Sequence, residues 1–581
     1  MSSEAWWTRI EADEWGDAIV AAMKLGGVDN IFFVSGSELN FYQEAVAKAH
    51  AKGTPAPRLI TVPHESVALN AALGNAMFRR QPAATAVHVD AGTLHQGAGI
   101  HTAWRGDYPV LMTAGTGPRA FPGSMPGGRN HDVQWVQEPR DQGEIVRQFT
   151  KMDHRMEHQD NPGLMVSRLL QVAMSGPSGP VYLAIPRETA MIRTGGTASF
   201  PTRDQLGVAR PAWPAPGDAE EIARWLVDSR HPLICTERSG REPDAHHELL
   251  RLAELLAIPV TDGDRADRMN FPATHWAYGT GPSLADADVV LVMDAIVPFA
   301  PGLTAPRGDA SVAWVSSDPV LSRYKTVEQR ADLWLTASVA SVAKAVHDAA
   351  REMLTPGRRE RIAERRAGLK ERKRQIDQHD DALAVSDIQK GQLTGRVVAY
   401  ELGRLLRDDA IVLNDGLSNG GYVHTYSRRS QDNTYFRSGS TSGGWGGGAS
   451  LGVKLAAPDQ DVIHASGDGY FMFGNPLLAL WSAAHHRAPY LSVVFVNGTY
   501  STGTTSLRAT YPKGYAVSSG NYDGGSFEPP PNFAKLAEAA NSYGEEVTTL
   551  AQLVPALERG LEQIRTGTPA VIAVRVPGPL G

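Results

Sequence analysis

The sequence contains a single cysteine, Cys235, among 581 residues. One thiol excludes an internal disulfide framework and a cysteine-rich metal site, and we expect it to be buried because it follows the apolar residues 232–234. No apolar run approaches the roughly 20 residues that a transmembrane helix needs, and the N-terminus lacks the features of a secretory signal. The formal net charge of −7 offers no basic surface for nucleic acid. The sequence therefore predicts a cytoplasmic protein with no membrane or nucleic-acid partner.

The chain is too long for a single hydrophobic core. Hydrophobic residues make up 42% of it and charged residues 20%, which is typical of globular proteins rather than disordered ones. A length of 581 residues predicts three or four domains of ordinary size. Short apolar strands alternate with helical segments, and this alternation indicates α/β domains with parallel sheets flanked by helices.

Three α/β blocks can be distinguished along the chain. The first covers residues 1–197, and the second covers residues 198–357 and includes a proline-rich joint at 210–216. Residues 358–390 are highly charged, and we predict that they form a solvated helix between domains. The third block covers residues 391–581. The sequence shows no short tandem repeats and no low-complexity tract.

The third block carries an acidic residue and an amide residue at the ends of two predicted strands. Residues 461–466 form a predicted strand that ends at Gly467-Asp468-Gly469, and a second strand, 490–496, ends at Asn497. Open α/β sheets bind ligands at the carboxyl ends of their strands. A carboxylate and an amide oxygen are hard ligands suited to Mg²⁺, and the glycines let a diphosphate approach the backbone.

This combination resembles the thiamine diphosphate (ThDP) motif, in which Gly-Asp-Gly is followed at some distance by Asn. Here 27 residues separate Gly469 from Asn497. Enzymes of the acetolactate synthase, 2-oxo-acid decarboxylase and benzaldehyde lyase-like group also carry one glutamate at a helix start in their N-terminal domain. Glu65 matches it, between the predicted strand 58–62 and the predicted helix 66–78. The alternative is that Glu65 only favours the helix N-terminus through the dipole.

The resemblance covers essentially the whole chain and implies pyrimidine-binding, central and diphosphate-binding domains. It implies that Glu65 hydrogen-bonds the aminopyrimidine ring of ThDP and promotes removal of the C2 proton of the cofactor. It also implies that Asp468, Asn497 and the Thr499 carbonyl hold Mg²⁺. It assigns cofactor binding to Asn414, Gly416, Ser442, Gly443, Gly444, Trp445, Gly467, Asp468, Gly469, Tyr470, Asn497, Thr499 and Tyr500.

One position departs from the family pattern. Relatives usually place a bulky apolar residue beneath the cofactor to bend it, and on a straight register this position falls at Gly443. Either Trp445 or another side chain supplies the contact, or the register slips. The glycine-rich segment 440–448 matches the loop that approaches the aminopyrimidine in the family. It has neither the preceding strand nor the later acidic residue of a dinucleotide-binding fingerprint.

Candidate substrate-side residues are also given by the resemblance. Relatives carry Gly-Pro-Gly and a nearby Asn where this chain has residues 90–92 and His95. His95 is a candidate acid–base group, or else a histidine at a helix start bonded to backbone. Asn130 and His131 are candidates for contact with the substrate. The alternative is that their loop is a plain interdomain connection. Thr502 lies in residues 498–526, which we predict to form a mobile lid.

The resemblance implies a ThDP- and Mg²⁺-dependent lyase, decarboxylase, carboligase or acyl transferase that acts on a 2-oxo acid or 2-hydroxy ketone. The first alternative is a relative that acts on acyl-CoA, such as oxalyl-CoA decarboxylase or 2-hydroxyacyl-CoA lyase, although the short segment after the last strand argues mildly against it. The second is a non-catalytic diphosphate-binding regulatory protein. Acetolactate synthases bind FAD in the middle domain and some CoA-type relatives bind ADP, and this chain leaves both open.

The resemblance also implies an assembly. The family builds each cofactor site from the first domain of one chain and the third domain of its partner. The expected partners are therefore a small-molecule substrate and a second copy of the chain, with a homodimer as the minimal unit and a tetramer of two such dimers.

Overall fold

The computed structural model describes residues 6–263, 266–300 and 303–578. It divides into two compact units. One contains Met1–Ala209, Ser440–Glu546 and Glu558–Ala573, and the other contains Arg210–Gly439, Val547–Leu557 and Val574–Gly581. None of the helices in the described part of the chain combines the length and apolar character that a bilayer span requires. The domain boundaries expected from the sequence stay predictions.

The chain up to residue 209 contains eight strands and nine α-helices among its described residues. The strands are β1 Thr8–Glu14, β2 Asn30–Phe33, β3 Arg58–Thr61, β4 Ala83–Val87, β5 Val110–Thr116, β6 Asp153–Arg155, β7 Val181–Pro186 and β8 Arg193–Phe200. The helices are α1 Trp15–Leu25, α2 Asn40–Lys52, α3 Glu65–Arg79, α4 Val89–His95, α5 Ala98–Arg105, α6 Val133–Val136, α7 Pro162–Met174, α8 Arg187–Ala190 and α9 Arg203–Leu206. Short 3-10 helices cover Ser37–Leu39, Gln142–Ile145 and Arg147–Phe149.

The next part of the chain, to residue 439, forms the middle sheet, its helices and one further strand pair. The strands are β9 Pro232–Thr236, β10 Val260–Thr261, β11 Val289–Met293, β12 Ser311–Ser316, β13 Leu333–Thr336, β14 Ile411–Asp415 and β15 Tyr435–Phe436. The helices are α10 Pro216–Asp228, α11 Ala245–Leu256, α12 Val339–Glu352, α13 Pro356–Gln389, α14 Gly395–Leu405 and α15 Gly420–Ser427, with a 3-10 helix at Ser239–Arg241.

Most of the remaining residues, from 440 on, belong to the first unit. The strands are β16 Val462–Gly467, β17 Leu491–Val496, β18 Tyr543–Val547 and β19 Ala570–Arg575. The helices are α16 Gly446–Ala456, α17 Asp468–Phe473, α18 Pro476–His485, α19 Ser501–Thr510, α20 Tyr515–Ser519, α21 Phe533–Ala539 and α22 Leu550–Arg565.

The N-terminal sheet has six parallel strands in the order β3-β2-β4-β5-β7-β6. Every residue of β4, β5 and β7 is buried, as expected for strands covered by helices on both faces. The strand order reverses between β2 and β4, and this is where open α/β sheets form a crevice for ligands.

The middle sheet is also parallel, with the order β10-β9-β11-β12-β13. Helices α10, α11 and α12 supply apolar side chains to its core. In the C-terminal region, β16 and β17 are parallel and are followed across the sheet by β19 and β18. These sheets and their helices confirm the predicted α/β class.

Helices α3 and α16 pack with their backbones in contact. A Cβ atom on Gly452 would lie 1.9 Å from the carbonyl oxygen of Ala71, and one on Gly74 would lie 2.1 Å from that of Ala449. Asn75 donates from Nδ2 to the carbonyl oxygen of Gly452 at 3.1 Å. Only glycine permits so close an approach. The crossing therefore holds the helix that begins at Glu65 against the helix that follows the glycine-rich segment.

Candidate active site

Three ionisable side chains follow neighbouring strands at the carboxyl edge of the N-terminal sheet. Glu38 lies in the segment after β2, Glu65 is the first residue of α3 after β3, and His88 directly follows β4. Because these strands are adjacent and parallel, their carboxyl ends meet at the crevice where the strand order reverses.

Glu65 is nearly enclosed, with 9% of its surface exposed. Its Oε2 lies 3.3 Å from Nδ1 of His95. A Cβ atom on Gly92 would come within 3.3 Å of its Oε1, so the absence of a side chain there leaves the carboxylate room. The structure thus brings together the two predicted catalytic residues, Glu65 and His95. The role of each stays a prediction.

His95 lies at the end of a helix and not at a helix start. Residues 89–93 already belong to α4, and His95 is its last residue. Asp90 in the first turn favours a helix at that point. The His95 side chain is 63% exposed, so it contacts both Glu65 and solvent.

His64 was not recognised from the sequence, although it lies beside Glu65. It is the N-cap of α3, and its Nδ1 accepts hydrogen bonds from Ser66 N at 3.1 Å and Ser66 Oγ at 3.0 Å. Asn475 in turn donates to Ser66 Oγ at 2.9 Å. The His64 ring stacks on that of His95 with centroids 5.4 Å apart. These contacts fix the start of α3 and connect it to the segment that follows α17.

Glu38 and His88 form a second pair that sequence reasoning missed. His88 Nδ1 lies 2.9 Å from Glu38 Oε2, and Gln137 Nε2 lies 3.2 Å from His88 Nε2. The Gln137 amide therefore contacts one ring nitrogen of His88, and the other ring nitrogen faces Glu38. Burial alone raises the pKa of Glu38, but hydrogen bonds from His88 and Ser37 outweigh it and lower the pKa to about 2. The signal available in the sequence was the position of each residue just after an apolar strand.

We expect the Glu38 carboxylate to stabilise the fold above mildly acidic pH. A pKa lowered from 4.5 to about 2 corresponds to roughly 3 kcal/mol of stability. Because the folded pKa is depressed, this contribution is complete above about pH 5 and is lost as the pH falls toward 2. Glu38→Gln should lower the thermal midpoint at pH 7 and approach the native midpoint as the solution is acidified.

The control is Glu44→Gln, which changes an exposed glutamate and should leave the midpoint unchanged. A Glu38→Gln midpoint equal to the native one at pH 7, or a difference that grows in acid, would contradict the stabilising role of the pair.

The structure places Asp468 beside Asn497, as the motif predicts. Asp468 is the first residue of α17 and is 2% exposed. Its Oδ2 accepts hydrogen bonds from the backbone N–H groups of Asn497 at 2.8 Å and Gly498 at 2.7 Å. Burial is the main cause of the raised pKa of Asp468. A buried carboxylate that lacks a countercharge is costly, and a bound cation would offset that cost.

Thr499 and its neighbours close the same loop. Thr499 donates from both its backbone N and its Oγ1 to Asn497 Oδ1 at 3.0 Å. Tyr500 N donates to the carbonyl oxygen of Gly525 at 2.8 Å, and Phe527 N donates to that of Gly498 at 2.9 Å. The predicted lid therefore has ends that pair with each other, and it contains α19 and α20. Its mobility stays a prediction.

The glycine-rich segment contacts the residue that follows Gly-Asp-Gly. A Cβ atom on Gly443 would lie 2.3 Å from the Tyr470 ring, so that ring occupies the space that a side chain at position 443 would take. Trp445 is 3% exposed and precedes α16. Ser442 donates from its backbone N to Ser440 Oγ at 3.2 Å, and Gly444 has φ +84°, a conformation that favours glycine.

Asn414 and Gly416 belong to the other compact unit. Asn414 is 2% exposed and donates from Nδ2 to the carbonyl oxygen of Gly420 and to Tyr435 Oη, both at 2.8 Å. Its Oδ1 accepts from Gly416 N at 3.1 Å. The Asn414 side chain thus shapes the turn after β14. The predicted cofactor contacts of both residues stay predictions.

The three predicted substrate residues lie in different surroundings. Asn130 Oδ1 accepts from Gln134 and Arg187, both at 3.1 Å, so it is already used within its loop. The His131 side chain is 70% exposed and pairs with Asp132. Thr502 is exposed in the first turn of α19. The geometry favours a structural role for Asn130 and gives no enclosed position to His131 or Thr502.

Comparison with known proteins finds two family models. The model described as "Thiamine pyrophosphate enzyme, N-terminal TPP binding domain" matches residues 13–145. The model described as "Thiamine pyrophosphate enzyme, C-terminal TPP binding domain" matches residues 418–574. Thiamine pyrophosphate is another name for ThDP.

Individual relatives agree with these models. The chain is 26% identical over 576 residues to an acetolactate synthase large subunit of Mycobacterium tuberculosis, covering 96% of this chain and 95% of that protein. It is 27% identical over 451 residues to a benzoylformate decarboxylase of Pseudomonas aeruginosa, covering 75% and 78%.

A solved structure shows the same fold. A ThDP-dependent 4-hydroxybenzoylformate decarboxylase of Rhodococcus jostii has a TM-score of 0.73 at 20% identity, covering 98% of this chain and 100% of that one. With both cofactor-binding models matched in their expected order, the chain belongs to the thiamine diphosphate-dependent enzymes.

Proposed function

We propose that the protein is a ThDP- and Mg²⁺-dependent lyase or carboligase that acts on a 2-oxo acid or a 2-hydroxy ketone. The observation that carries the proposal is the buried Asp468 beside Asn497 at the ends of β16 and β17, together with the nearly enclosed Glu65 at the carboxyl edge of the N-terminal sheet. The α3–α16 contact holds the helix of Glu65 against the half of the unit that contains Asp468 and Asn497. The benzoylformate decarboxylase and acetolactate synthase relatives support the substrate class.

The residues around Asp468 would hold a magnesium ion, which would offset the charge of a bound diphosphate. The donor set consists of a carboxylate, the Asn497 amide oxygen and the Thr499 carbonyl, all hard oxygen ligands. Asp468 Oδ1 accepts one backbone donor and keeps a lone pair, whereas Asp468 Oδ2 and Asn497 Oδ1 each accept two donors. The Thr499 hydroxyl, which also lies 3.0 Å from Ser501 Oγ, would turn away from Asn497 Oδ1 to leave that oxygen a lone pair for the ion. The glycines at 467 and 469 leave the backbone open to phosphate oxygens.

Bound ThDP supplies a carbon nucleophile and an electron sink for cleavage next to a carbonyl. Glu65 would share a proton with the aminopyrimidine ring, and His95, which contacts Glu65 and solvent, would exchange a proton between them. Asp468 and Asn497 hold the charge of the diphosphate and take no part in bond cleavage. The Tyr470 ring, which fills the space beside Gly443, is our assignment for the side chain beneath the cofactor.

The direct test supplies apo-protein with ThDP, Mg²⁺ and a panel of 2-oxo acids that includes pyruvate and benzoylformate. Release of CO₂ or formation of an acyloin from at least one of them is expected. Acyl-CoA substrates form a parallel arm that tests the alternative. Cofactor binding without turnover of any 2-oxo acid, combined with turnover of an acyl-CoA, would replace the proposal by that alternative.

We also propose a homodimer in which the first domain of one chain and the third domain of its partner form each site. Two inactive variants, Glu65→Gln and Asp468→Ala, should then complement each other after subunit exchange. A mixed dimer has one doubly defective site and one intact site. Activity should return to up to about a quarter of the native value, because half of the pairs are mixed and half of their sites are intact.

The control is each variant exchanged with itself, which should stay inactive. Confirmed exchange without any recovery would mean that the site is built within one chain, a geometry for which the α3–α16 contact already provides the packing.

A further inference from the structure

A cleft of about 560 Å³ lies between helix α13 and the amino edge of the middle sheet. Its floor is formed where β9 and β10 begin, around Pro232 and Pro259, and its wall is one face of α13. The carboxyl edge of the same sheet has a different cavity, lined by Glu237 and Asp262. The cleft therefore lies at the opposite edge from the one where α/β sheets usually bind ligands.

The wall of the cleft is a stripe of arginines. Arg361, Arg365 and Arg372 line it from α13, at spacings of four and seven residues that place them on one helix face. Arg230 lines it from the loop before β9, and Glu364 is the one carboxylate among the described lining residues. The charge of the lining is therefore predominantly positive.

The four arginines differ in how many of their hydrogen-bond donors are already used within the protein. Arg365 donates to the carbonyl oxygens of Ala257 and Ser229 at 3.0 Å and of Leu256 at 2.5 Å, so it joins α13 to the sheet. Burial lowers the pKa of Arg365 to about 10, which leaves it charged at neutral pH. Arg361 donates to the carbonyl oxygen of Val227 at 3.3 Å and lies 4.0 Å from Asp228 Oδ1, with about half of its side chain exposed.

Arg230 and Arg372 are available to a ligand. Within the described ranges, neither guanidinium makes a hydrogen bond or an ion pair, and both side chains are exposed. The nearby carboxylates are already engaged: Asp228 takes three hydrogen bonds from Arg358, and Asp288 accepts from Ser229 Oγ and the backbone of residues 230 and 231. Among the described lining residues, Glu364 is then the one carboxylate that faces the four arginines, so the cleft keeps an excess of positive charge.

We propose that this cleft binds a phosphate-bearing metabolite of nucleotide size. One planar guanidinium group can donate two parallel hydrogen bonds to the oxygens of a phosphate, whereas a compact ammonium group cannot. A volume of about 560 Å³ exceeds what an inorganic ion needs and falls in the range of small-molecule sites. Pro232, Pro259 and Leu369 supply apolar surface for the body of such a ligand.

The test measures binding of AMP, adenosine and inorganic phosphate by calorimetry. The protein is first saturated with ThDP and Mg²⁺, so that its diphosphate site is filled. AMP should bind once per chain, and adenosine should bind at least about tenfold more weakly because it lacks the anion. Inorganic phosphate should compete with AMP and bind more weakly because it does not contact the apolar surface.

The double variant Arg230→Ala/Arg372→Ala should weaken AMP binding at least about tenfold. The matched control, Arg224→Ala/Arg359→Ala, removes two exposed arginines of the same unit outside the cleft and should change AMP affinity less than about twofold. Native ThDP content in both variants would show that they are folded.

Equal binding of AMP and adenosine, or an equal loss in the two double variants, would overturn the proposal. Inorganic phosphate binding as tightly as AMP would overturn the assignment of a nucleotide-sized ligand.

Discussion

Replacement of Asp468 by alanine should abolish retention of ThDP. The carboxylate is the charged member of the proposed metal site, and without Mg²⁺ the diphosphate faces the protein without its bridging cation. We expect the purified variant to carry no cofactor after desalting, whereas the native protein keeps it. Cofactor content is measured by fluorescence after oxidation of released thiamine compounds.

Asp468 also organises its loop, so folding must be separated from binding. Asp468→Asn keeps the side-chain shape and one oxygen for the N–H groups of Asn497 and Gly498, and it should fold while still losing most of the cofactor. Asp523→Ala removes an exposed carboxylate of the predicted lid and should retain ThDP fully. Full occupancy in the Asp468→Ala protein would show that the Gly-Asp-Gly interpretation is wrong.

Replacement of Glu65 by glutamine should slow exchange of the C2 proton of bound ThDP at least about a hundredfold, the usual contribution of a positioned proton-transfer group. Glutamine keeps the size of the side chain and can accept a hydrogen bond, but it cannot share a carboxyl proton. The variant should fold normally and bind some cofactor. Quenched hydrogen–deuterium exchange followed by NMR measures the rate directly.

Glu44→Gln is the matched control, because it makes the same chemical change at an exposed position of α2. It should exchange at the native rate. Native exchange in the Glu65→Gln protein would remove Glu65 from proton transfer, whatever the variant does in a turnover assay.

The strands of the sheets were predicted well because short apolar runs that alternate with helical segments are typical of buried parallel strands. The predicted strand 490–496 and helix 66–78 correspond to Leu491–Val496 and Glu65–Arg79. Asp468 and Asn497 were predicted to lie together because both follow neighbouring strands, and they do so in the structure.

Contacts between distant segments could not be predicted in this way. Glu38 and His88 are 50 residues apart, and only the order β2-β4 in the sheet brings them together. The pairing of Gly443 with Tyr470 depends on how two loops approach one another. The arginines of α13 were expected on a solvated helix, since charge alone does not reveal that one face of it closes a cleft.

The contact between α3 and α16 has a consequence for how precision is maintained in this enzyme. Where side chains separate two helices, a changed residue can be absorbed by new rotamers. Here carbonyl oxygens meet glycine Cα atoms, so the spacing is fixed by the dimensions of the main chain itself. The rate of a reaction that depends on positioned groups falls steeply when those groups are displaced by about 1 Å. The crossing therefore fixes the distance between the two helices. A single methyl group added at Gly74 or Gly452 would displace the residues of the proposed site even though none of them had been changed.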